Sequence, residues 1–168
     1  MLNVAQIRKF DVANGPGIRT SLFVSGCTHN CPDCFNQDYM HFKYGQVWDD
    51  VQEKAFLEHL KNPQIKGVTI LGGEPMDQIH DEDLLRLVRN IKLETNKELW
   101  IYSGYTFEEI CAHPKRFEIL KYCDVLIDGP FVTALKDFRL KFRGSSNQRL
   151  INVQASLNSD CVVLHDLN

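Results

Sequence analysis

Short apolar runs alternate along the chain with stretches in which apolar residues recur at helical spacing. Runs of four or five residues are too short for helices, and their near-continuous apolar character is typical of parallel strands covered on both faces. Six runs therefore predict β-strands. They span residues 21–25, 67–71, 99–103, 124–127, 149–153 and 161–164.

Helical periodicity fills the intervals between these runs. One series covers residues 47–60, and a clearer one covers residues 79–91 with Asp81 as its N-cap. Thr106-x-x-Glu109 is the pattern of a capping box, which opens a short helix. Pro114 and Pro130 each stand where a first helical turn begins.

The alternation of strand and helix predicts right-handed crossovers and a parallel sheet. A complete eight-fold barrel takes about 250 residues, and the chain has 168. The predicted fold class is therefore α/β: a partial (incomplete) TIM-like β/α barrel with a mostly parallel sheet of about five to six strands, in a single domain over residues 1–168. Functional side chains are expected at the C-terminal ends of the strands.

Composition narrows the class of protein. With 43% apolar residues the chain can bury a core, and its net charge of −3 argues against a broad nucleic-acid surface. The sequence has no apolar run long enough for a membrane helix and no apolar stretch of a signal peptide at its start. A cytoplasmic enzyme or small module is expected, with no nucleic-acid or membrane partner.

The six cysteines are unevenly distributed. Cys27, Cys31 and Cys34 lie within eight residues, directly after the first predicted strand. The others are scattered, and we expect each to be a small buried hydrophobe. They are Cys111, Cys123 and Cys161.

Three thiolates at this spacing predict a soft metal site, either zinc or an iron–sulfur cluster. Zinc needs a fourth ligand, for which His29 and His41 are the nearby candidates. A 4Fe–4S cluster held by three cysteines leaves one iron open to substrate. His29 lies between Cys27 and Cys31, and one tight loop cannot easily place both cysteines and the imidazole around a tetrahedral zinc ion. The iron–sulfur cluster is therefore favoured over zinc.

Further candidate residues follow the later strands. Gly72-Gly73-Glu74-Pro75 ends the second predicted strand, where glycines permit close approach to a ligand and Glu74 can accept hydrogen bonds from an ammonium group. Ser103 is a candidate contact to a ligand carboxylate or ribose, whereas Tyr102 is equally a packed aromatic residue. Asp128 is either the N-cap of a helix at Pro130 or a polar contact to a cofactor, with the cap favoured.

The spacing C-x3-C-x2-C resembles the signature of the radical S-adenosylmethionine (SAM) superfamily. The resemblance implies that the open iron chelates SAM and that an electron from the cluster cleaves it, leaving a 5′-deoxyadenosyl radical. It also implies that Asp33 and Phe35, which flank Cys34, line the adenine pocket, and that the GGEP segment holds the amino group of SAM.

Four further segments narrow the resemblance to one group within this superfamily. GPGIRTSLFVSGC is similar to the entry of the glycyl-radical-enzyme activases, and WIYSGYTFEE, DGPF and KFRGSSNQR closely resemble the activases of anaerobic ribonucleoside-triphosphate reductase. The resemblance covers about residues 11–153. It implies a glycyl radical formed on the reductase subunit and a reduced flavodoxin-type electron donor.

Two alternatives remain at this point. An activase of another glycyl radical enzyme, such as pyruvate formate-lyase, would use the same chemistry. A non-catalytic zinc-binding adaptor would use the three cysteines and one histidine. The basic segment 141–149 is an exposed loop, a docking site for the partner protein or a contact to SAM.

Overall fold

The computed structural model describes residues 1–32, 34 and 36–168. Within these residues the chain forms seven strands and five α-helices. The strands are β1 (Asn3–Asp11), β2 (Arg19–Val24), β3 (Gln46–Val47), β4 (Gly67–Gly72), β5 (Glu98–Tyr102), β6 (Val125–Asp128) and β7 (Arg149–Asn152). The α-helices are α1 (Asp50–Leu60), α2 (Asp83–Asn90), α3 (Phe107–Cys111), α4 (Pro114–Leu120) and α5 (Val153–Ser159). A π-helix, Ile91–Thr95, continues α2, and 3₁₀ turns lie at Gln37–Met40, Pro75–Asp77 and Thr133–Leu135.

The strands form one mixed sheet in the order β3-β1-β2-β4-β5-β6-β7. β2, β4, β5 and β6 are parallel neighbours, as the apolar runs predict. β1 and β3 are antiparallel at one end, and β7 is antiparallel to β6 at the other. The sheet is open, since β3 and β7 are its two edges, and its description as a partial barrel stays a prediction.

The strand predictions need correction at four places. β1 and β3 do not appear among the predicted runs, because both lie at the sheet edge and β1 carries four successive exposed residues. Residues 161–164 form only an isolated bridge between Leu164 and Ile151. β7 was expected in a parallel sheet but runs antiparallel, since the chain returns from β6 without a crossover helix among the described residues.

The helices follow their predicted signals with two exceptions. The capping box forms at the start of α3, where Glu109 N donates to Thr106 Oγ1 at 3.2 Å, and α4 begins at Pro114. Asp81 lies one residue before the N-cap of α2, yet its carboxylate accepts a hydrogen bond from Asp83 N at 3.0 Å. No helix begins at Pro130, so that prediction is wrong; a 3₁₀ turn follows three residues later.

The two faces of the sheet differ in what covers them. All five α-helices contribute buried residues to the larger apolar cluster, which lies on one face. The opposite face carries a small cluster of Trp100, Val125, Ile127 and Leu150. Since neighbouring residues of a strand point to opposite faces, the strands are covered on both sides where these clusters overlap.

A buried arginine, Arg19, lies on the face of the sheet that carries the small apolar cluster, near the N-terminal ends of the parallel strands. The side chain of Arg19 is fully buried and lies 5.2 Å from the Trp100 ring centre. Its guanidinium donates to Thr69 Oγ1 at 3.0 Å and to Glu98 Oε1 at 3.0 Å. A Cβ atom at Gly67 would lie 2.6 Å from the Arg19 guanidinium. This arginine of the GPGIRT segment is therefore a structural residue of the sheet, not a surface charge.

Among the helices of the described chain, none combines the length and apolar character needed to cross a bilayer.

Candidate functional site

The parallel strands bring four loops to one edge of the sheet. Val24 of β2 pairs with Gly72 of β4, and Tyr102 of β5 pairs with Ile127 of β6, so these strands end almost level. The cysteines and Ser103 follow these strands, the GGEP sequence begins at the last residue of β4, and Asp128 is the last residue of β6. The candidate residues therefore meet at the edge where the strand pattern places them.

The loop after β2 holds the three closely spaced cysteines. In this cysteine loop (residues 26–34), Cys27, Cys31 and Cys34 are free, partly exposed thiols. Gly26 N donates to Tyr39 O in the following 3₁₀ turn at 2.7 Å. The residue before the first cysteine is thus anchored to the body of the protein.

The thiols lie close enough to influence one another. Burial raises the pKa of Cys27 to about 11. Burial, followed by the charge of Cys34, raises the pKa of Cys31. Within the described residues, no three His, Cys, Asp or Glu side chains are already gathered around a metal position. The donor set itself, three free thiols on one loop, fits iron, which binds thiolates after they lose their protons.

Asp33 and Phe35, the residues predicted for the adenine pocket, lie outside the described residues.

The glycine loop (residues 72–75) runs directly against the start of the cysteine loop. Gly73 N donates to Val24 O at 2.8 Å, and Glu74 N donates to Gly26 O at 2.7 Å. A Cβ atom at Gly73 would lie 2.6 Å from the carbonyl oxygens of both Gly26 and Tyr39. Because these are backbone atoms, a side chain at this position would displace the cysteine loop.

The Glu74 carboxylate is 1% exposed and surrounded by donors of the chain itself. They are His29 Nε2 at 2.6 Å, Gly104 N at 2.6 Å, Met76 N at 2.8 Å and Ser103 Oγ at 2.9 Å. Since an ionised carboxylate only accepts, His29 Nε2 carries the hydrogen. This hydrogen bond to Glu74 raises the pKa of His29. Glu74 therefore joins three loops, and its predicted contact to a ligand ammonium stays a prediction.

A second buried carboxylate, Asp77, does not appear among the sequence candidates. Its oxygens accept hydrogen bonds from Thr28 N at 2.8 Å and from the Tyr105 hydroxyl at 2.6 Å. Arg116 stacks 3.9 Å from the Tyr105 ring centre and donates to Asp77 at 3.4 Å. No motif or spacing in the sequence signals this group, because its members come from four separate segments.

The remaining strand-end residues are engaged within the protein. Ser103 Oγ binds Glu74, so its contact to a ligand stays a prediction. The Tyr102 hydroxyl donates to Phe142 O at 2.6 Å, and burial raises its pKa, as expected of a packed aromatic residue.

Asp128 does not cap a helix at Pro130. Its buried carboxylate accepts a hydrogen bond from Phe107 N, the first residue of α3, at 2.8 Å and forms an ion pair with Arg149. Asp128 therefore binds the start of α3, and the prediction that it caps a helix at Pro130 is wrong. The other predicted role, a polar contact to a cofactor, stays a prediction.

Two arginines of the basic segment 141–149 are held by hydrogen bonds and ion pairs within the protein. Arg143 Nη1 donates to Gln148 O at 3.0 Å, and Arg149 pairs with Asp128 and with Glu108 at 2.8 Å. Lys141 is exposed. The segment is thus not a uniformly solvated basic loop.

The scattered cysteines differ from one another. Cys123 is fully buried, as predicted, and Cys111 is half-buried. Cys161 is exposed, which contradicts the prediction and follows from the absence of a strand at residues 161–164.

Comparison with known proteins first defines the class. Residues 13–151 match the family model described as a 4Fe-4S single cluster domain. This match agrees with a three-cysteine cluster loop and gives no support to the zinc adaptor. His29, one candidate zinc ligand, already uses Nε2 to bind Glu74.

Curated relatives then define the family. The chain is 41% identical over 150 residues to the anaerobic ribonucleoside-triphosphate reductase-activating protein of Haemophilus influenzae, covering 88% of this chain and 96% of the relative. It is 38% identical to the protein of that name from Escherichia coli K12, with the same coverage. The protein of that name from Enterobacteria phage T4 is 38% identical over 98% of this chain and 100% of its own length. The chain belongs to the family of anaerobic ribonucleoside-triphosphate reductase-activating proteins.

Proposed function

We propose that the chain activates anaerobic ribonucleoside-triphosphate reductase by cleaving SAM reductively at a 4Fe–4S cluster, which leads to a glycyl radical on the reductase. One observation carries the proposal. The glycine loop is hydrogen-bonded to the first residue of the cysteine loop, from Glu74 N to Gly26 O at 2.7 Å. A cluster and a ligand held by these two loops would be direct neighbours.

In this proposal Cys27, Cys31 and Cys34 hold the cluster through their thiolates. When bound, such a cluster supplies one electron for reductive cleavage of SAM at its open iron. Gly72 has a φ of +115°, a conformation that glycine adopts readily, and the absence of a side chain at Gly73 lets this loop lie directly against the backbone of Gly26 and Tyr39. The half-buried backbone of these two glycines is proposed to meet the methionine part of SAM.

The other proposed contacts surround this point. Asp33, Cys34 and Phe35 would line the adenine, while Ser103 and Asp128 would shape the edges of the same site through the loops they stabilise. The protein's own task is to position SAM and to exclude water, because the cofactor carries the chemistry.

The open sheet suits a macromolecular substrate. A closed barrel presents its site at one mouth, whereas an open sheet leaves a lateral approach for a protein segment such as the glycine region of the reductase. A reduced flavodoxin-type protein is the proposed electron donor, and the cytoplasm is the proposed compartment, because exposed thiols stay reduced there.

The first test is anaerobic reconstitution with iron and sulfide, followed by measurement of 5′-deoxyadenosine. With SAM and dithionite, the wild-type chain is expected to form 5′-deoxyadenosine, and Cys31→Ala is expected to form none. A protein that stays colourless, binds zinc stoichiometrically and forms no product would contradict the proposal.

A further inference from the structure

The two residues that follow the first cysteine reach away from it into the protein. His29 Nε2 lies 2.6 Å from Glu74 Oε1. Thr28 binds Asp77 Oδ2 twice, through its backbone N at 2.8 Å and through its hydroxyl at 2.9 Å. Both acceptors are buried, with Glu74 1% and Asp77 9% exposed. The spacer between the first two cysteines is therefore held by two buried carboxylates of the segment after β4.

These carboxylates are themselves fixed by the loop after β5. Glu74 accepts hydrogen bonds from Ser103 Oγ at 2.9 Å and from Gly104 N at 2.6 Å. Asp77 accepts one from the Tyr105 hydroxyl at 2.6 Å. Three consecutive residues of one loop thus hold both acceptors in place.

The imidazole of His29 is closely packed on two sides. The His29 ring packs against Tyr105, with ring centres 4.3 Å apart. A Cβ atom at Gly104 would lie 2.8 Å from His29 Nε2. Any residue larger than glycine at position 104 would therefore displace the imidazole from Glu74.

We propose that His29 and Thr28 are positioning residues that clamp the cysteine loop onto the glycine loop. Neither binds iron. Glu74 takes part twice, because its backbone N binds Gly26 O while its side chain binds His29. The clamp sets the distance between the cluster and the part of SAM that the glycine loop holds, and in this respect the inference rests on the proposed function.

The test compares His29→Ala with His29→Gln, whose amide can still donate to Glu74. His41→Ala is the control, because His41 is an exposed histidine beyond the same loop. After anaerobic reconstitution, all three variants are expected to bind iron as the wild type does. His29→Ala is expected to bind SAM about tenfold or more weakly, the size of effect expected when one hydrogen bond to a charged group is lost. It should also lose the SAM-induced change in the electron paramagnetic resonance (EPR) spectrum of the reduced cluster, and His29→Gln should restore most of both.

A second measurement uses the apo-protein, so it does not depend on SAM chemistry. Amide hydrogen exchange at residues 26–31 and at Gly104, whose N–H binds Glu74, is expected to accelerate in His29→Ala and in Thr28→Val. His41→Ala should exchange as the wild type does.

The outcomes separate the two hypotheses. Unchanged exchange in His29→Ala would overturn the clamp, and so would loss of iron from that variant alone, because His29 would then be needed for the cluster itself. Wild-type SAM affinity in His29→Ala would overturn its positioning role. Failure of the wild type to bind SAM would contradict the proposed function, while the exchange data would still decide whether the clamp exists.

Discussion

Replacing Arg19 with Met should destabilise the fold and leave the structure of the cysteine loop unchanged. The arginine is fully buried, and its guanidinium makes five hydrogen bonds to four residues. Met fills a similar volume but donates none of these hydrogen bonds, although Glu98 Oε1 keeps the one it accepts from Trp100 Nε1 at 2.6 Å. Breaking a buried ion pair typically costs about 3–5 kcal/mol. The lower end applies here, because the Glu98 side chain is 35% exposed and stays partly solvated after the change.

The decrease in the free energy of unfolding can be measured by urea unfolding of the apo-protein. A loss of about 3 kcal/mol, at an m-value of about 2 kcal/mol per M, lowers the midpoint by roughly 1.5 M. Arg19→Lys should fall between Met and wild type, because an ammonium has fewer donors and lacks the planar fork. Arg89→Met, on the exposed side of α2, is the control and should change stability by no more than about 0.5 kcal/mol. A wild-type midpoint in Arg19→Met, together with lost SAM binding, would refute the structural interpretation and make Arg19 a functional residue.

Three further predictions concern the site. Alanine at any of the three clustered cysteines should abolish the 4Fe–4S absorbance, whereas alanine at Cys111, Cys123 or Cys161 should keep it; a full cluster in Cys31→Ala would show that the ligands are wrong. Gly73→Val should weaken SAM binding tenfold or more, about 1.4 kcal/mol, and because its side chain would press on Gly26 and Tyr39, it should also lower iron loading; unchanged values for both would contradict the close approach. Lys141→Ser should preserve SAM cleavage without the reductase and slow glycyl-radical formation, since exposed charges mainly affect association; equal loss of both products would place this residue in the active site instead.

Local signals in the sequence predict the local structure well. The capping box at Thr106 and Glu109 forms because its hydrogen bonds join residues three apart. The four parallel strands are predicted because each contains a buried apolar run, such as residues 22–24 in β2 and 125–127 in β6. The edge strand β1 is missed for the opposite reason, since its exposed positions carry polar residues alongside apolar ones.

Long-range arrangements are predicted only where a motif marks both partners. The cysteine and GGEP segments follow neighbouring parallel strands, so their meeting can be predicted from strand order. The contact between Thr28 and Asp77 cannot, because its partners are 49 positions apart, Thr28 is a spacer position of the cysteine motif and Asp77 lies outside the GGEP motif. The ion pair between Asp128 and Arg149 cannot be predicted either, because the two residues become neighbours only when β7 pairs with β6.

Activation of the reductase can be observed directly by EPR detection of a glycyl radical on it. The reconstituted chain, SAM and a reductant are incubated anaerobically with anaerobic ribonucleoside-triphosphate reductase, and Cys31→Ala serves as the control. We expect a stable glycyl signal that is carried by the reductase, appears together with 5′-deoxyadenosine and is absent with Cys31→Ala. Formation of 5′-deoxyadenosine with no glycyl signal on the reductase, or the same signal with Cys31→Ala, would contradict activation of the reductase through a cluster held by these cysteines.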